Sequence, residues 1–188
     1  MFALEIIAVV LAVTYLVLAI RQNIWCWAAA AVSTLLYLFI MFEARLYMES
    51  VLQLFYLAMA AYGWHQWRRV GGQTEVLQVS TWPLRYHAFA ILTVLTLVYV
   101  SGHLLTQYSD AALPHLDSLT TWGAIVATYM VARKILENWF YWFVIDAVSV
   151  GLYLNRGLFL TALLFVVYLV LIVIGYRSWR SSMSSQAS

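Results

Sequence analysis

The sequence predicts an all-α integral membrane protein, with seven transmembrane helices set out as 3+1+3 parallel pseudo-repeats. Three observations lead there. The 188 residues are 65% hydrophobic and 10% charged, whereas soluble domains carry roughly 45–50% apolar and about 25% charged residues. The apolar residues fall into seven runs close to the ~20 residues that cross a bilayer. The end of the third run, YGWHQWR, returns at the end of the seventh as IGYRSWR.

The runs follow one another with short breaks. The first covers 3–20 and stops at Arg21; it lacks a basic leader and a small-residue cleavage site, so it is expected to be a retained span. The second covers 25–42 and stops at Glu43-Ala44-Arg45, and the third covers 47–67 and stops at Arg68-Arg69. A longer polar connection, holding the Gly71-Gly72 turn, leads to the fourth run at 87–107. A loop with Asp110, Pro114 and Asp117 precedes the fifth, at 118–134. The sixth covers 138–155 and turns at Asn155-Arg156-Gly157, and the seventh covers 158–176. The expected organisation is a first three-helix bundle with its loop (1–86), a linking helix (87–107), a second bundle (108–180) and a disordered Ser-rich tail (181–188).

Charge sets the orientation. Eight of the ten Lys and Arg residues follow the first, third, fifth and seventh runs, and only Arg45 and Arg156 lie on the other side. The positive-inside rule places the C-terminus in the cytoplasm and the N-terminus outside.

The repeat is clearest where Tyr56, Gly63, Trp67 and Arg68 match Tyr168, Gly175, Trp179 and Arg180 at constant offset. Earlier in each half, Asn23 and Trp27 have the spacing of Asn138 and Trp142. Ser33 and Tyr37 have that of Ser149 and Tyr153, with one residue of slippage. Both halves begin on the same side, so they are parallel repeats, with a substrate site expected at their interface.

Polar residues at membrane depth are costly and tend to face a bundle interior or cavity. In the sixth helix Trp139, Trp142, Asp146, Ser149 and Tyr153 recur at intervals of three and four, which is one helical face. Asp146 lies roughly 12 Å into that helix at 1.5 Å per residue. The third helix carries a second stripe of Glu49, Gln53, Tyr56, Gly63 and Trp67, and the second offers Trp27, Thr34 and Tyr37. Indole faces attract cations, by up to about 2 kcal/mol when desolvated, and a buried carboxylate pairs with positive charge or is protonated. This chemistry fits a flat, partly polar, cationic molecule. The bland alternatives are specific. Tryptophans near helix ends belt a membrane interface, small residues let helices pack, and Asp146 can serve a structural hydrogen bond.

Other functions find little support. Cys26 is the single cysteine, so no intramolecular disulfide forms. The four histidines sit at helix ends or in loops without ligand spacing, and no metal site is expected. Hydrolase signatures and phosphate-binding Gly-rich loops are absent from the sequence, so no catalytic residue, cofactor or ATP drive is expected. The net charge of +2 gives no reason to expect nucleic acid. A membrane enzyme would need a nucleophile–base pair, and an assembly factor would not need the polar faces. Glu49 and Asp146 leave a proton-coupled carrier open.

The stretch LYxExxLQLFYLxMxxYGWHQWR from Leu46 to Arg68, with ENWFYWxxxDxxSxxLYLNRGLFLTALL from Glu137 to Leu164, resembles the PnuC-type vitamin transporters. The resemblance covers about residues 5–180. It implies a fold related to the SWEET sugar transporters and facilitated diffusion of a non-phosphorylated B-vitamin precursor across the bacterial inner membrane. Nicotinamide riboside is the leading cargo and thiamine the runner-up; flavin, neutral and larger, is disfavoured. Trapping by a separate cytoplasmic kinase and a homotrimeric assembly in the bilayer are implied as well. The family's helix-three glutamine corresponds to Gln53, and its paired tryptophans to Trp139 and Trp142, beside Asn138. The position of Asp146 is an amide in some nicotinamide riboside members, which leaves the exact vitamin open. Tyr37, Glu49, Ser149 and Tyr153 complete the expected substrate-binding set.

Overall fold

The computed structural model describes residues 2–43, 47–68, 77–108, 113–155 and 159–186. Among them are seven α-helices and no named strand: α1 (Phe2–Ile20), α2 (Trp25–Glu43), α3 (Tyr47–Arg68), α4 (Leu84–Tyr108), α5 (Pro114–Ala132), α6 (Asn138–Asn155) and α7 (Phe159–Gln186). Arg45, Arg69, Gly71, Gly72, Asp110, Arg156 and Gly157 lie outside the described residues.

Three boundaries depart from the sequence expectation. Helix α4 begins at Leu84 because Pro83 precedes it and its carbonyl accepts from Tyr86 N at 2.9 Å. Helix α5 begins at Pro114, taken above as loop. Proline at the first helical position has its φ preset and loses no hydrogen bond there, and Asp117 suits the positive end of the dipole. The expected disordered tail is corrected most. Helix α7 runs to Gln186, and the Ser184 and Ser185 hydroxyls donate back to the Ser181 carbonyl at 2.8 and 3.0 Å. Its serines thus satisfy their hydroxyls against the helix itself.

Leu84–Tyr108 and Ala162–Ser185 are long and apolar enough to cross a membrane, and Val9–Ile20 and Trp25–Phe39 are shorter apolar helices. Helix α4 turns its large apolar side chains outward; Phe89 is 72% exposed and Leu92 66%. Such a surface suits lipid as its solvent.

The chain divides into two compact units. One comprises Met1–Val79, Ala132–Lys134 and Ser178–Ser188, the other Ser80–Val131 and Ile135–Arg177. In the first unit α2 packs against both α1 and α3. Trp27, Trp67 and Trp179 are buried there, and successive ring centroids lie 5.6 and 6.2 Å apart. Trp67 Nε1 donates to the carbonyl of Ala132, the last residue of α5, at 3.2 Å. Trp179 Nε1 donates to that of Ala19, near the end of α1, at 3.0 Å. Helix ends leave carbonyls short of intrahelical partners; Trp67 serves that of Ala132, and Trp179 adds a second donor to that of Ala19, which also accepts from Gln22 N. Trp67→Phe is therefore expected to cost about 1–3 kcal/mol, read as a lower thermal midpoint in detergent. An unchanged midpoint would show that the Ala132 bond contributes nothing.

In the second unit, the segment before α4 braces the start of α6. Ser80 and Ile135 form an isolated parallel bridge, and Leu136 N donates to Ser80 O at 2.8 Å. Trp82 N donates to Glu137 Oε2 at 3.2 Å, and His87 Nδ1 shares a 3.0 Å hydrogen bond with the Tyr141 hydroxyl. A cavity of about 290 Å³ lies between α4, α5 and α6, lined by side chains such as Ile91, Leu95, Val144 and Ile145.

Candidate functional site

Helix α6 is sided as its spacing predicts. Asn138, Trp139, Ile145, Asp146, Ser149 and Leu152 are buried, Trp142 and Tyr153 half-buried, and Phe140, Phe143, Val144 and Leu154 exposed. The predicted stripe thus lies on the covered face.

Its residues differ in what they have left to offer. Asn138 opens α6 fully buried; its Nδ2 donates to Ile135 O at 2.6 Å, and its Oδ1 has no hydrogen-bond partner among the described residues. Buried polar atoms are satisfied in the great majority of cases, so this oxygen is an acceptor in waiting. Trp139 is 2% exposed and seats its indole on Gly175 of α7, where a Cβ would overlap the ring. Trp142, one turn deeper, keeps more of its surface. Asp146 is 5% exposed, and no hydrogen bond or ion pair joins it to another described residue. Ser149 donates its hydroxyl to Ile145 O at 2.9 Å, which leaves it an acceptor role. Tyr153 packs on Phe165 with centroids 5.2 Å apart, and Phe165 in turn on Tyr168 at 5.5 Å.

The first unit holds the remaining predicted residues. Tyr37 of α2 and Gln53 of α3 are half-buried. Glu49 lies in α3, and its side chain is outside the described residues. Trp27 is 2% exposed and seats on Gly63 as Trp139 does on Gly175. Its Nε1 has no hydrogen-bond partner among the described residues.

These two seats share one spacing. Trp27 corresponds in packing to Trp139 rather than to Trp142, at the separation of 112 residues that also relates Gly63 to Gly175. Residue identity pairs Asn23 with Asn138, whereas the glycine seats pair Trp27 with Trp139. The interfacial-belt reading also fails for Trp27, Trp67, Trp139 and Trp179, all of them 7% exposed or less. Trp25, 62% exposed, keeps it.

Two residues escaped the sequence reading. Gln22 and Lys134, again 112 apart, both adopt the left-handed conformation, with φ of 52° and 50°. Lys134 Nζ donates to Gln22 Oε1 at 3.0 Å and lies 4.7 Å from the Trp67 ring centroid. Lys134 is 2% exposed, and burial pulls its ammonium down from 10.5 to about 8. No metal-binding cluster of His, Cys, Asp or Glu occurs among the described residues.

Comparison with known proteins gives this arrangement its context. The family model described as nicotinamide mononucleotide transporter matches residues 2–181. The riboflavin/roseoflavin transporter RibM of Streptomyces davaonensis is 30% identical over 93% of this chain and 83% of its own length. The nicotinamide riboside transporter PnuC of Escherichia coli is 25% identical over 91% and 82%. A crystal structure of the vitamin B3 transporter PnuC superposes with a TM-score of 0.75 at 25% identity, covering 97% of this chain and 82% of that one. With a family match over nearly every residue and a shared seven-helix fold, the chain belongs to the nicotinamide mononucleotide transporter family, and it is a membrane transporter rather than an enzyme.

Proposed function

We propose that the protein is a facilitated-diffusion uniporter for a non-phosphorylated B-vitamin precursor, with nicotinamide riboside as its leading cargo. The observation that carries this reading is Asp146, a carboxylate 5% exposed on the covered face of α6, with Trp142 one turn away. A buried carboxylate is stabilised by a cation, and the pyridinium of nicotinamide riboside is a flat cation that an indole can stack upon. Trp142 stacks on the ring and Asp146 balances its charge, while Trp139, 2% exposed and seated on Gly175, belongs to the wall beside them. Asn138, Ser149 and Tyr153, of the same compact unit, bond the vitamin's polar groups. The thiazolium of thiamine meets the same requirement. A flavin is the second reading, favoured by the similarity to the Streptomyces riboflavin transporter.

The wider proposal is a bacterial inner-membrane protein with its N-terminus outside and its C-terminus in the cytoplasm, a 3+1+3 pseudo-repeat assembled as a homotrimer. A separate kinase traps the vitamin by phosphorylating it. The equal separations of Trp27 from Trp139 and Gly63 from Gly175 support the repeat.

Calorimetry of the purified protein against nicotinamide riboside, thiamine and riboflavin tests the cargo. Binding of nicotinamide riboside is expected; binding of riboflavin alone would move the assignment to the flavin, and silence from all three would sink it. In vesicles without kinase the vitamin should equilibrate and not accumulate. Accumulation driven by a pH gradient would replace the uniporter with a proton-coupled carrier.

A further inference from the structure

Two features of the second unit involve none of the predicted binding residues. One is the cavity between α4, α5 and α6. Its wall is apolar: Ile91 and Leu95 come from α4, Leu119 from α5, and Phe140, Tyr141 and Val144 from α6. Ile91, Leu95, Phe140 and Val144 are each about half exposed, so the cavity opens on the outer surface of the unit. That surface continues round α4 to Leu92 and Phe89, whose solvent in a membrane transporter is lipid. An apolar cavity does not hold water, and its bare wall forfeits dispersion contacts. At about 290 Å³ it sits at the lower edge of ligand pockets, which run roughly 300–1,000 Å³.

The other feature is an arc of rings at the start of α4. Arg85 lies over the Tyr86 ring, 5.2 Å from its centroid. Tyr86 meets Trp82 at 6.0 Å, Trp82 meets His87 at 5.6 Å and His87 meets Tyr141 at 5.9 Å, centroid to centroid. The arc runs from an exposed guanidinium to a ring that lines the cavity. Glu137 accepts from Trp82 N, and no ion pair joins Arg85 to a carboxylate among the described residues. Six residues separate Arg85 from Ile91, about 9 Å along the helix at 1.5 Å per residue. The headgroup region on each side of a bilayer is roughly 5–8 Å deep. A guanidinium at the phosphate level therefore sets the cavity where acyl chains begin. Tryptophan and tyrosine belong at that boundary, and a basic residue there attracts anionic headgroups.

We propose that α4, α5 and α6 form a binding site for one anionic phospholipid, with an acyl chain filling the cavity and the phosphate against Arg85. The chain restores the dispersion contacts that the open wall lacks, and the guanidinium gives the phosphate charge-assisted hydrogen bonds. Every residue of the site belongs to one compact unit. The site depends on no particular vitamin.

Thermal unfolding in detergent tests it. Phosphatidylglycerol is expected to raise the midpoint by about 3–6 °C at ten times its half-saturating level. Phosphatidylcholine, alike in its chains but without net charge, should need roughly tenfold more. Arg85→Gln should bring the two lipids within about twofold of each other. Val144→Trp fills the cavity from α6 and should abolish the rise with either lipid. Should that variant fold poorly, Ile91→Trp, which fills the cavity from α4, must abolish it instead. No rise in the wild type, an equal response to both lipids, or a full response in both tryptophan variants overturns the proposal. A second copy of the chain on this face also overturns it: light scattering would then show the tryptophan variants dissociated, with their lipid response unchanged.

Discussion

Asp146→Asn and Trp142→Ala are each expected to weaken binding of nicotinamide riboside tenfold or more, measured by calorimetry in detergent. Tenfold is about 1.4 kcal/mol. An indole over a desolvated cation contributes up to about 2 kcal/mol, so deleting Trp142 reaches that mark from stacking alone. The Asp146 change removes a charge and little volume. Asp146 is 5% exposed, and attraction between charges grows as water is excluded, so the amide should lose at least as much. A control sharpens the result: Asp146→Asn should hardly affect a neutral flavin if one binds. Wild-type affinity for the vitamin in both variants would place the site elsewhere.

Gly175→Ala should destabilise the fold by about 1–3 kcal/mol, the usual cost of forcing an extra methyl into a packed interior. The added Cβ would overlap the indole of Trp139. That indole is a rigid ring, 2% exposed, and cannot swing aside as a long flexible chain would. Gly63→Ala meets the indole of Trp27 in the same way. The two sites lie in different compact units, so their effects on the thermal midpoint should add. An unchanged midpoint in either variant would mean that the notch relaxes freely.

Much of this was legible in the sequence, for physical reasons that can be named. Apolar run length fixes spans, and all seven helices lie where the runs do. The sidedness of α6 followed from three- and four-residue spacing alone, and Asp146 is buried on the expected face. Helix starts were less legible. The stretch at Pro114 looks like a loop, yet proline is favoured at a first helical position. The serines after Arg180 look like a disordered tail, yet their hydroxyls bond back to the helix. The tryptophan seats pair Trp27 with Trp139, a correspondence that matching Asn, Ser and Tyr by identity does not give. The tryptophan–glycine spacing of each half would have given it, since it records which atoms interlock. The pairing of Gln22 with Lys134 leaves no periodic trace. It joins residues 112 apart through a left-handed backbone that only coordinates reveal.

The same pair carries a consequence for design. Where two identical chains associate about a two-fold axis, a residue on the axis meets its own copy. Two ammonium groups there would repel, and a bond of donor to acceptor could not be written differently on the two sides. Within a single chain no such constraint applies, and positions 22 and 134 place an amide against an ammonium. A glutamine at position 134 would turn the contact into a like pair, in which either amide can donate to the other.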